Sequence, residues 1–477
     1  MGFTCYKFLL AFLPATLILY FLMRKFNCNT LAKCVMAVAS AVFYWFYGAV
    51  PFFILIGDCI INWFLSKLLQ KDGKSTGKKV ILALSIILNV GLLLYFKYFN
   101  FFAENVAAVR GAEFTAFDII QPAAISYYTF QQIAWLVDSY RGETGKYTFP
   151  EYAAFIFFFP KIAMGPIILH DEFMGQLNDK KKFLPNAENL GTGFIWLSIG
   201  MAKKVMLEPM FAGCASFGFD PTRIPLLSMP EAWACSIAYT IQLYLDFSGY
   251  CDIAAGVSKM FNFDLPVNFN SPYKAISIGD FWKRWHITLT RFLRKYIYFS
   301  LGGNRKGKVR TYINMLTIFV ISGFWHGANW TFILWGTLHG VIMIIERICG
   351  KTLEKIPKVI RWAVTFIAVD IGWVLFNSHS IGEAGAFLQR MFQFGSLTPA
   401  AEFYNTVGLN SYAFITEHLN IAVPLLFIAT MCGLVFTKNV YEKKYEPNFR
   451  TSIAVALMFA FSFLSLSDVA TFIYFQF

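Results

Sequence analysis

Three stretches of this chain hold the side chains that can do chemistry. They are Leu245-Asp246-Phe247-Ser248-Gly249-Tyr250, Asp280-Phe281-Trp282-Lys283-Arg284-Trp285-His286 and Phe324-Trp325-His326-Gly327-Ala328-Asn329-Trp330. Each is flanked by apolar runs of membrane length. Ionisable groups are expensive at membrane depth, so their presence there points to function by default. His326 is the sharpest case: it lies between two apolar runs, with Gly323, Gly327, Trp325, Trp330 and Asn329 around it. That pattern reads as a shaped, partly polar cavity. An imidazole kept from water favours its neutral form, which a general base requires. The plainer alternative is a buried histidine satisfied by hydrogen bonds alone.

The other candidates carry weaker signals. Residues 280–300 read as one amphipathic helix, with Trp282, Trp285, Leu289, Phe292, Tyr296 and Phe299 on one face. Lys283, Arg284, Arg291, Arg294 and Lys295 fill much of the rest, which suits either an anionic ligand or lipid phosphates. His286 sits at the buried edge of that tryptophan face. His339, in Leu338-His339-Gly340, is open to a site role or to a structural bond between helices. Asp246 and Asp252 need cationic partners, expected among residues 283–295, and a structural ion pair is as natural a reading as chemistry. Gly302-Gly303-Asn304-Arg305 lacks the P-loop pattern, and no G-x-S-x-G or H-E-x-x-H motif occurs.

The scaffold that must position these residues is legible in composition. The 477 residues are 57% hydrophobic and 14% charged, with mean hydropathy +0.53. Continuous apolar runs, without the alternation of a membrane β-barrel, predict an all-α polytopic membrane protein. Spans are expected at 4–23, 31–49, 50–69, 80–101, 231–257, 312–328, 330–348, 358–377, 419–436 and 450–467. Segments 121–139 and 150–169 are weaker, with one of them expected to be re-entrant, and Phe157-Phe158-Phe159-Pro160-Lys161 predicts a break inside the second. Lys203, Lys204 and Pro209 predict a broken or interfacial helix over 190–217. The net charge of +13 reflects loops beside anionic lipid, since no nucleic-acid recognition motif accompanies it. The stretch 258–311, rich in Lys and Arg and holding only Asp264 and Asp280 as acids, belongs on the cytoplasmic side. So does the loop with Lys67, Lys71, Lys74, Lys78 and Lys79. Alternating the spans from there puts both termini outside. Nine cysteines without C-x-x-C or zinc-like spacing predict neither a disulfide framework nor a metal site. With no internal repeat or linker, residues 1–477 read as a single membrane domain.

Taken together, these motifs resemble the membrane-bound O-acyltransferase family, and within it the bacterial branch that acetylates secreted polysaccharides such as alginate. The resemblance rests on Tyr244 to Tyr250 with Asp252, Asn268 to Pro272, Asp280 to His286, Arg291 to Arg294, Leu301 to Arg305 and Trp325 to Trp330. Fainter echoes lie at Phe159 to Ile167 and in the closing Phe472-Ile473-Tyr474-Phe475-Gln476-Phe477. It implies that His326 is the family's essential histidine and His286 its second. Trp325, Asn329, Asp246 and His339 would support them, around a central tunnel joining a cytoplasmic donor to an acceptor outside. Acetyl-CoA or a phosphopantetheine-linked acyl carrier is the implied donor, held by Lys283, Arg284, Arg291 and Arg294. His286, Asn329 or a tryptophan N–H would meet the developing oxyanion. The implied setting is the cell (inner or plasma) membrane, with lipid, a polysaccharide acceptor and extracytoplasmic acetyltransferase proteins as partners and no nucleic acid. Two alternatives stay open here: D-alanyl transfer to teichoic acid by the sister branch, and a non-enzymatic transporter or scaffold of polysaccharide export.

Overall fold

The computed structural model describes residues 1–71, 75–407, 418–443 and 448–466. Lys74 and the closing motif 472–477 lie outside the described residues. Helices make up most of the described chain, and no strand occurs among the described residues. Backbone in lipid has to satisfy its own N–H and C=O groups, and helices do so within one segment. Among the described residues, seven helices are long and apolar enough to cross a membrane: Lys7–Lys25, Ala49–Leu69, Thr76–Arg110, Ala187–Phe219, Trp330–Leu353, Lys358–Asn377 and Leu419–Phe436. The span expected at 231–257 is the helix Met229–Met260, and that expected at 312–328 is Gly307–His326. Helices wrapped by protein can carry more polar residues than helices facing lipid. Ile125–Arg141, almost wholly buried, is of the first kind, whereas only 17% of an apolar 18-residue stretch of Thr76–Arg110 is buried.

The chain forms two compact units, one of residues 1–198 and 250–266, the other of 199–249 and 267–477. In the first unit the expected break occurs. Helix Phe149–Phe157 stops at Phe158, and Phe159–Ile162 restarts with Pro160 in its first turn, where a missing N–H costs nothing. The Phe159 N–H at the break donates to Ser40 Oγ at 3.0 Å. Residues 151–170 are all buried, so this irregular backbone is covered by protein. The same unit holds a polar ladder between helices. Asp58 accepts from Asn62 Nδ2 at 2.7 Å and Gln132 Nε2 at 3.1 Å, Asn89 donates to Asn62 Oδ1 at 2.7 Å, and the Tyr152 hydroxyl donates to Gln132 Oε1.

Two expectations need correction. The run Ala187–Phe219 is not broken: a wider turn over Ala202–Leu207 holds Lys203 and Lys204, and Pro209 stands in the first turn of the segment that follows. Nor is 280–300 one helix. Ile278–Trp282 ends in a turn, His286 adopts φ +43°, and a new helix starts at Ile287. The break has a clear cause. Asn268 captures the start of the second helix through its carbonyl, which accepts from Ile287 N at 2.9 Å, and through its amide oxygen, which accepts from Thr288 N at 3.3 Å. Two long helices, Gly307–His326 and Trp330–Leu353, then pack backbone to backbone. A Cβ on Gly323 would stand 2.2 Å from the Phe332 carbonyl oxygen, and one on Gly336 equally close to that of Phe319. Only glycine permits that approach, and it fixes the end of the first helix, where His326 sits.

Candidate active site

All the residues singled out for the site fall in the second unit except Tyr250 and Asp252. His326 closes the helix Gly307–His326 and is 3% exposed. Its ring lies among Trp325, Trp335 and Phe376, with centroids at 4.9, 5.1 and 5.3 Å. The His286 ring lies 6.4 Å away, and Trp325 stands beside both histidines, 5.9 Å from His286. Two histidines forty residues apart in sequence are thus brought to one aromatic chamber.

His286 is held there by Asn268. Because the Thr288 N–H donates to Asn268 Oδ1, that atom is the acceptor oxygen of the amide. The 3.2 Å contact from His286 Nδ1 therefore carries the ring proton, and Nε2 keeps the lone pair. Burial pushes the His286 pKa down to about 3. In that tautomer the neutral ring carries its acceptor at Nε2.

The structure assigns Asn329 to the backbone. Its oxygen caps the helix Trp330–Leu353 through Thr331 N at 3.0 Å, and its nitrogen donates to the His379 carbonyl at 2.7 Å. Asp246 forms a buried ion pair with Lys204. That cation comes from the run Ala187–Phe219 instead of the expected 283–295, because the two helices pack where Gly249 and Gly200 nearly touch. Glu208 joins this group by accepting from Gln242 at 2.7 Å. His339 accepts a 3.4 Å hydrogen bond from the Trp282 indole and packs on Trp335, 5.1 Å between centroids.

A cavity of about 660 Å³ opens beside this chamber. Lys283 and Arg294, two of the four expected donor-binding cations, line it. Arg284 and Arg291 do not; Arg284 is paired with Asp280 at 2.9 Å. The cavity adds Arg347 and Glu346, which sequence reading overlooked. A signal for Glu346 existed: Trp335, His339, Met343 and Glu346 recur at helical spacing on one face of Trp330–Leu353. Lys283, Arg294 and Arg347 are exposed at the mouth, whereas Trp282, Leu293 and Ser322 are buried at the inner end. Ser322 lies one helical turn before His326.

Comparison with known proteins agrees with this geometry. Residues 125–378 match the MBOAT, membrane-bound O-acyltransferase family. The chain belongs to that family. It is an O-acyltransferase and a multi-pass membrane protein. The chain is 36% identical to a peptidoglycan O-acetyltransferase of Helicobacter pylori, over 98% of this chain and 96% of the relative. It is 33% identical to a probable alginate O-acetylase of Azotobacter vinelandii over the full length of both. A teichoic acid D-alanyltransferase of Streptococcus thermophilus is 27% identical over 49% of this chain and 59% of its own.

Proposed function

We propose that this O-acyltransferase takes an acetyl group from a thioester donor on the cytoplasmic side of the cell membrane and passes it to a hydroxyl of an extracytoplasmic polysaccharide. The observation that carries this reading is the graded cavity. Exposed Lys283, Arg294 and Arg347 at its mouth suit the phosphates of coenzyme A or of a phosphopantetheine-bearing carrier. Its buried end suits a short acyl chain and lies one turn from His326. The basic stretch 258–311 that supplies two of these cations belongs on the cytoplasmic face by the positive-inside bias. O-acetyltransferase relatives that match nearly the whole chain support acetyl over D-alanyl, whose transferases match about half of it.

In the proposed reaction the acceptor hydroxyl oxygen attacks the thioester carbonyl carbon as His326 takes its proton. The carbon–sulfur bond breaks, and the proton passes from His326 to the departing thiolate, so no net proton is consumed. Trp325, Trp335 and Phe376 keep water from the reacting groups, which limits hydrolysis of the donor. Purified protein in lipid vesicles, given acetyl-CoA or acetyl-loaded carrier and a soluble glycan, should form ester-linked acetyl. His326→Ala should lower that rate by roughly 10²–10⁴-fold at equal protein level. Undiminished transfer by this variant would remove His326 from the base role.

A further inference from the structure

We infer that Trp282 sets the length of acyl group this enzyme accepts, and that His339 is the positioning residue that holds it. The inference rests on the donor cavity proposed above. Trp282 links the cavity to the reacting groups through Trp335. It lines the buried end, and its ring also packs on Trp335 at 5.7 Å, on His339 at 5.3 Å and on Phe319 at 5.4 Å. Trp335 in turn packs on His326. An acyl chain lying in the cavity therefore meets the Trp282 indole as its floor. The volume above that floor decides how many methylenes fit.

The floor is held in place. An indole N–H can only donate, so His339 Nδ1 receives it with a lone pair, and the neutral ring carries its proton on Nε2. His339 itself has no room to swing, because it is fully buried and its Nε2 would lie 3.0 Å from a Cβ on Gly372. The short helix that bears Trp282 is anchored from the same helix as His339: Glu346 accepts from Ile278 N at 2.6 Å and from Gly279 N at 3.0 Å. Indole, its acceptor and its backbone anchor are therefore all tied to Trp330–Leu353.

The test is a competition between equimolar acetyl and butyryl thioesters, offered on coenzyme A and on acyl carrier protein. Ester products on the glycan are counted by mass spectrometry. Wild type should give chiefly acetyl ester. Trp282→Ala should raise the butyryl-to-acetyl ratio by roughly tenfold or more, the scale that a few methylenes command in a fitted pocket. Trp282→Leu, which keeps an apolar side chain, guards against a misfolded Ala variant and should move the ratio the same way. His339→Phe keeps a ring but not the acceptor, and should give a smaller rise of about threefold. A merely structural role would lower both products together. An unchanged ratio, or loss of both products in folded Trp282→Leu, overturns the inference while leaving acetyl transfer by wild type intact. Failure of wild type to transfer either group from either thioester would sink the donor reading, and the role of Trp282 with it.

Discussion

Two buried polar regions of this molecule look alike in composition and behave differently. In the first unit, Asp58, Asn62, Asn89 and Gln132 are each at most 4% exposed, and every side-chain oxygen and nitrogen among them has a hydrogen-bond partner. In the second, the chamber around His326 is also buried, yet the Trp335 indole nitrogen and His339 Nε2 make no hydrogen bond. A saturated network rigidifies and specifies a fold. Donors left over in a low-dielectric pocket are suited to a group that arrives only during reaction. Polarity at membrane depth thus signals function only after its partners have been counted.

The comparison is broken most directly by exchanging rate for stability. His326→Gln is expected to cost roughly 10²–10⁴-fold in acyl transfer while the melting temperature in detergent stays at the wild-type value. A matching fall in melting temperature would make His326 structural, like the ladder of the first unit. Asn62→Leu should do the reverse. It strands Asp58 Oδ1 and Asn89 Oδ1, which should lower stability by about 1–3 kcal/mol with the rate per folded molecule unchanged. Replacing both partners, Asn62→Leu with Asn89→Leu, should recover part of that loss, since two apolar groups leave fewer stranded atoms. A slower rate in the folded Asn62 variant would mean that the ladder also serves catalysis.

The smallest effect concerns pH. The folded pKa of His286 is about 3, below the unfolded value near 6.5, so the unfolded chain binds the extra proton between those limits. Its contribution to stability is complete above pH 6.5 and is lost as pH falls toward 3. His286→Asn tolerates the left-handed backbone at this position and removes the titrating ring. Melting curves from pH 8 to pH 5 should then fall less steeply for the variant than for wild type. Parallel slopes would show that His286 is not the group responsible.

Sequence alone determined the class of the protein and much of its helical layout. Runs such as 358–377 and 419–436 return as helices with the same bounds because lipid demands one simple property, sustained apolarity over a membrane-length helix. His326 was legible for the converse reason, as a titratable side chain where such apolarity should have continued. What sequence could not decide was pairing. That Lys204 meets Asp246, that Asn329 is committed to backbone, that Arg347 joins Lys283 and Arg294 while Arg284 turns to Asp280, all depend on which helices pack together. The break at His286 belongs to the same category, since the periodicity of 280–300 satisfies a continuous helix until Asn268 takes the backbone groups that would have continued it. Apolarity is a property of one segment and is written locally. Hydrogen bonds and ion pairs need two segments, and tertiary packing chooses the second.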